Sequence, residues 1–408
     1  MTNTNTDMSE ERKIAGIELQ EMLSYHTKCH LHSMEKKISN YDGDILFASW
    51  LQFVRMQEEF INIFYELHGE ELIKVRDAEI GSFFLCSGSF KEAKQIVIDV
   101  FGEDVGRRFS NYVSMFSRQN FILSFAGQNF LNLSTVGDLL NYSQTRRLYY
   151  VTILRMIPLY AKGDKKIRTS EIPTEFSAYI DFGLLCVTTG VQNIIQSKCL
   201  KDFYGVVTNM GIVFRNSYTH LEDLFMEPLR LSTLDVLEFD KDVKHHMPPL
   251  PKRTNLLYSM EELDYTLPQH ASIFSDYHLD NQPVFKKLSM LVEAVKPFFV
   301  DGYYIKISEQ DFTEMSKQTE LELYKEQTDY FDLLNTRNGF VKHGAYFYST
   351  FFLFDRFVVN SLYESLRKNR RYQIKSGFYF ETKVTEKLNY YGFKRLEGVK
   401  RINQRSLM

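Results

Sequence analysis

The chain has 408 residues, 44% of them hydrophobic and 25% charged, with a net charge of −3. Those proportions sit near the soluble globular average and exclude wholesale disorder, collagen-like repeats and a disulfide scaffold. The length is enough for roughly two to three domains. Nine prolines and 20 glycines favour long helices over many short strands. The expected fold class is mainly α: helical bundles in several blocks, with a short α/β-like C-terminal element. Cys29, Cys86, Cys186 and Cys199 are scattered without a Cys-x-x-Cys pair, which suits reduced thiols and a cytoplasmic location. The opening MTNTNTDMSEERK is polar and acidic, so it is not read as a signal peptide. Ala345 to Leu362 is apolar but interrupted by Asp355 and Arg356, and reads as a buried helix with no membrane partner.

Residues 1–127 form the first expected block. A helix over 9–38 would be capped by Ser9, with Ala15, Leu19, Met22 and Leu23 on one face. After a turn at Tyr41-Asp-Gly-Asp, a second helix over 45–67 turns Phe47, Leu51, Val54, Phe60, Ile61 and Phe64 to one side. Helices over 90–101 and 105–116 follow, with breaks at SGSF (87–90) and FGED (101–104). Within the first helix, His26, Cys29 and His30 fall at i, i+3 and i+4. Zinc draws on two separated ligand pairs, and no second pair exists, so no metal site is expected there.

Residues 128–239 read as a second helical block. Its start could be a helix, a three-residue turn and a second helix from near Thr145, with Arg146 and Arg147 at its head. That is the spacing of a DNA-reading helix-turn-helix, and equally of a plain helical corner. Residues 240–283 hold five of the nine prolines, a density that resists both helix and central strand and marks a linker. The third helical block, 284–369, should contain helices over 284–299, 310–335 and 343–369, with one short strand in DGYYIKI (301–307).

The last segment, 370–408, is a basic tail. From Arg367 onward, twelve Lys or Arg stand against three Glu, a net +9, so the preceding 366 residues carry −12. Clustered cations can displace the counterions around phosphates. They can also neutralise the acidic body or a partner chain. The candidate nucleic-acid contacts are Arg367, Lys368, Arg370, Arg371, Lys394, Arg395, Lys400 and Arg401.

Two segments share an Arg-Asn pair placed ahead of a histidine: Arg215-Asn216 before His220, and Arg337-Asn338 before His343. An imidazole near neutral pKa can move the proton of a ribose 2′-OH. A guanidinium can stabilise the charge that builds on phosphate oxygens. The pattern resembles the Arg-x(4–6)-His motif of the HEPN superfamily. That resemblance implies helical bundles, metal-independent RNA cleavage and two motifs meeting at a dimer or tandem-domain interface. On one continuous helix, steps of five or six residues set the two side chains about 140° or 120° apart. They would converge only if the Arg lies at or before the first turn, and the Asn could equally be a helix cap.

In the tail, Phe380, Val384 and Leu388 repeat every four residues, giving an amphipathic helix over 377–391 that ends at Gly392. The order Gly, Phe-Glu, apolar helix, Gly-Phe, basic extended segment is similar to the opening of a PD-(D/E)XK restriction-endonuclease-like domain. The resemblance implies a first-helix glutamate, here Glu381, followed by strands bearing Asp and Glu-x-Lys that hold a divalent metal. Those acids would lie beyond Met408; the competing expectation for this tail is a helical C-terminal hairpin with a basic exposed end.

No phosphate-binding Gly-x(4)-Gly-Lys-Ser/Thr loop, Gly-x-Gly-x-x-Gly or Gly-x-Ser-x-Gly is present. The expected function is that of a nuclease or nuclease-linked defence or toxin protein acting on RNA or DNA. No cofactor is expected, and a homo-oligomer or partner protein would complete the site. The competing expectation is a non-enzymatic helical interaction or sensor module in which both motifs are structural.

Overall fold

The computed structural model describes residues 12–80, 88–117, 124–125, 128–129, 133–176, 204–208, 211–214, 283–300, 304–326 and 338–368, with seven further positions between 370 and 392. In chain order these form β1 (Arg12–Ala15), α1 (Gly16–Ile38), α2 (Gly43–Glu66), α3 (Gly69–Asp77), α4 (Gly88–Phe101) and α5 (Glu103–Ser117). The hairpin β2 (Ser124–Phe125) and β3 (Gln128–Asn129), helix α6 (Val136–Tyr160), β4 (Tyr204–Thr208) and β5 (Gly211–Phe214) come next. The last group is α7 (Pro283–Val295), β6 (Phe299–Val300), β7 (Tyr304–Ser308), α8 (Glu309–Thr319), β8 (Val341–His343), β9 (Tyr346–Thr350) and α9 (Phe351–Arg367). The chain is mainly helical, as its composition implies, with a small antiparallel sheet toward the C-terminus. Among the described residues no helix is long and apolar enough to cross a membrane.

α2 is the centre of the first core. Asp42 caps it by accepting from the Ile45 amide, and its expected apolar face is buried from Phe47 to Phe64. Trp50 donates from Nε1 to the Tyr150 carbonyl on α6 at 2.8 Å, so its one polar atom is satisfied inside the core. The same core takes in residues of α1, α3, α4 and α5 and, from far along the chain, Val341, Phe352 and Leu353. A second core lies between α7, α8, α9 and one face of the four-stranded sheet β6-β7-β9-β8. There Phe312 and Phe347 stack at 3.8 Å.

Several expectations are corrected. The N-terminal helix starts at Gly16, because Arg12–Ala15 pair antiparallel with β4, Arg12 opposite Val207. A long-range ladder there satisfies the backbone groups that a helix would have used. The block over 128–239 is not wholly helical, since β4 and β5 form a hairpin within it. The helix-turn-helix is one unbroken helix, α6, started by a capping box between Thr135 and Asp138. The stretch read as a turn is partly inside the protein, with Tyr142 and Ser143 buried and Gln144 exposed. Ser143 is buried, its hydroxyl hydrogen-bonds Tyr112 and its carbonyl accepts from Gln57. Arg146 and Arg147 therefore sit mid-helix, over the rings of Tyr142 and Phe352. Finally, the helix expected over 310–335 ends at Thr319, where Glu320 turns left-handed at φ 51°. The helix expected from His343 begins only at Phe351.

Candidate functional site around His343

Of the six motif residues, Asn338 and His343 lie among the described residues. Arg215, Asn216, His220 and Arg337 lie outside them. His343 ends β8, a strand rather than a helix, and Gly344 makes the turn into β9 at φ +58°. A side chain there would be strained, so the glycine serves the hairpin.

The ladder decides what surrounds the imidazole. His343 stands opposite Tyr346, and Val341 opposite Tyr348. Side chains alternate along a strand, so His343, Val341, Tyr346, Tyr348 and Lys306 share the face turned away from the second core. The start of α2 covers one end of that face. The Phe47 ring stacks on the imidazole with centroids 4.1 Å apart and planes 11° from parallel. It also meets Tyr348 edge-on at 4.9 Å. His343 Nε2 lies 2.9 Å from Asp44 Oδ1. The carboxylate is 91% exposed and the histidine 16%. A contact whose carboxylate is so open to water is worth only about 0.2–1 kcal/mol. The stack therefore holds the ring, and in the tautomer with its proton on Nε2 the imidazole donates to the Asp44 carboxylate. In that tautomer Nδ1 carries no proton.

Asn338 has a different task. Its side-chain oxygen accepts from the Lys325 amide and its Nδ2 donates to the Lys325 carbonyl, both at 3.2 Å. Its own main-chain carbonyl accepts from Arg155 Nη2. The residue clamps two chain segments and ties them to α6. It is committed to structure, with no side-chain polar atom turned toward His343. Gly339 beside it passes so close to Phe357 that a Cβ would come within 2.8 Å of the ring.

Sequence reasoning missed a buried polar seam between the two cores. Glu58 on α2 is 1% exposed. It faces Arg147 on α6, and the Thr350 hydroxyl, the Phe352 amide and Asp355 at the head of α9. Neither carboxylate oxygen completes a hydrogen bond of good geometry. Burial pushes the Glu58 carboxyl up to about 7, opposed by the Arg147 charge and by the Thr350 and Phe352 donors. A signal was available: Glu58 stands seven and four residues after Leu51 and Val54 and three before Ile61, on the apolar face of its helix. Asp44, read as part of a turn, carried no such signal.

The remaining candidates are soon placed. Lys368 and Arg370 are exposed, and Arg367 closes α9. Arg371, Lys394, Arg395, Lys400, Arg401 and Glu381 lie outside the described residues. Gly392 has φ +82° and donates to the Asn389 carbonyl, the geometry of a glycine that ends a helix. Cys29 on α1 is exposed, and among the described residues no group of three His, Cys, Asp or Glu side chains could hold a metal ion. Compared with known protein families, with curated proteins and with solved structures, the chain matches none.

Proposed function

We propose that the chain acts on RNA as a metal-independent endoribonuclease, with His343 as a proton-transfer group. The observation that carries this reading is the pairing of His343 Nε2 with Asp44 while its ring is stacked on Phe47. A stacked, carboxylate-oriented imidazole is the arrangement that proton transfer asks for. In the reaction, His343 Nδ1 takes the proton of a ribose 2′-OH as the 2′-oxygen bonds to phosphorus. The bond from phosphorus to the 5′-oxygen breaks, and that oxygen takes a proton from a second imidazole, His220 in a composite site. Arg337 or Arg215 would stabilise the charge on the phosphate oxygens.

Cleavage should persist in excess EDTA, give 2′,3′-cyclic phosphate ends, spare DNA and vanish in His343→Ala. Cleavage that EDTA stops, or that survives His343→Ala, overturns the reading. A second reading, a non-enzymatic helical interaction module, draws on the commitment of Asn338 to the Lys325 backbone and to Arg155. Under it no RNA is cut, and His343→Ala alters only stability.

A further inference from the structure

The sheet face that carries His343 is only partly covered. Phe47, Val341 and Tyr348 pack into or against the first core. At the other end of the face, Lys306 and Tyr346 are exposed, Tyr346 by 41%. Lys306 Nζ lies 4.3 Å from the Tyr346 ring centroid and 5.9 Å from that of Tyr348. Tyr346 is in turn the ladder partner of His343. An ammonium lying over a partly exposed aromatic ring, and an imidazole, thus occupy neighbouring positions on three adjacent strands.

We propose that this end of the sheet, Tyr346 with Lys306, binds one strand of single-stranded nucleic acid beside His343. Each group matches a different part of a nucleotide. The ring face turned away from Lys306 offers a flat apolar surface to a base, and any base has a π-face to lay on it. The ammonium meets the phosphate. Facing side chains across an antiparallel pair are about 5 Å apart, so a ribose whose base lies on Tyr346 comes beside His343. A double helix keeps its bases stacked inside and offers none to the ring, which selects single strands. The proposal rests on the His343 reading only for what lies beside the ribose; binding itself is independent of cleavage.

The test is fluorescence anisotropy of the full chain with two labelled probes that cannot be cut, an oligo(dT) and a 2′-O-methyl oligo(U), each about 12 nucleotides long. Tyr346→Leu should weaken binding of both by roughly 5- to 100-fold, and Tyr346→Phe should stay within about twofold of wild type. Lys306→Gln should weaken binding and flatten its salt dependence by about one phosphate contact. Circular dichroism of Tyr346→Leu checks that the exposed substitution leaves the fold intact. Wild-type affinity in Tyr346→Leu, or no binding by the wild type, overturns the platform. Loss of binding in Tyr346→Leu when wild type cuts no RNA upholds the platform and ends the nuclease reading. Cleavage that needs His343, with binding indifferent to Tyr346, does the reverse.

Discussion

Arg155 on α6 donates through Nη2 to the main-chain carbonyl of Asn338, joining positions 183 residues apart. The arginine is 3% exposed, and burial lowers its pKa to about 10, so it stays charged at neutral pH. A charged donor on a carbonyl at the head of the β8 segment fixes that segment against the first core. The histidine five residues on takes its place partly from this tie.

Arg155→Met should cost about 1–3 kcal/mol in a denaturant titration, because it strips a partly buried carbonyl of its donor. The amides of 341–343 should also exchange faster with deuterium than those of α4. Unchanged exchange at β8 would show that the tie does not hold the strand.

Glu58 should make stability fall as pH rises. Its folded pKa, about 7, is above the ordinary value, so the folded state holds the proton longer than the unfolded chain does. Stability is then full below about pH 4.5 and declines until about pH 7, by roughly 3 kcal/mol in all from this group. Glu58→Gln keeps the neutral form at every pH. Melting temperatures of wild type and variant should diverge between pH 5 and about 7.5, with the variant the more stable at the upper end. Parallel profiles would exclude a shifted Glu58.

Asp44→Asn tests the orienting role of the carboxylate. Any RNA cleavage should fall roughly tenfold or more, while stability changes by less than about 1 kcal/mol, since the pair is open to solvent. Phe47→Leu should lower both, because it removes the stack and part of the first core. Full activity in Asp44→Asn would mean that the stack alone orients the ring.

Gly163→Ala should be among the most damaging single changes. A Cβ there would lie 2.2 Å from the Asn40 carbonyl oxygen, and backbone cannot yield as a side-chain tip can. The close approach lets Lys165 reach Tyr41 OH and Glu175, whose Oε2 also accepts from Lys37 and Tyr41. Those donors hold the Glu175 carboxyl down at about 2. The stability it lends is present above about pH 4.5 and is lost as pH falls through about 2. Gly163→Ala should unfold at markedly lower denaturant and lose much of that acid transition; a shift under about 0.5 kcal/mol would mean that the 163–165 segment moves aside.

How far the sequence carried depended on where each residue's partners lie. α2, α4 and α5 were legible within a few residues because a helix closes its hydrogen bonds four residues away, and the buried stripe repeats with that period. The same logic failed for α6, where the three residues ahead of Thr145 looked like a turn. Ser143 is buried against Tyr112 and Gln57, and only packing reveals that this polar residue belongs inside. His343 was legible as a chemical candidate from its place after Arg337-Asn338. That it ends a strand, stacks on Phe47 and meets Asp44, 299 residues earlier, follows from the docking of a sheet onto a helix. Composition and period determined the helical class and the residues worth watching. The tertiary structure decided the strands, the seam at Glu58 and the company His343 keeps, because each of these is made by groups far apart in the chain.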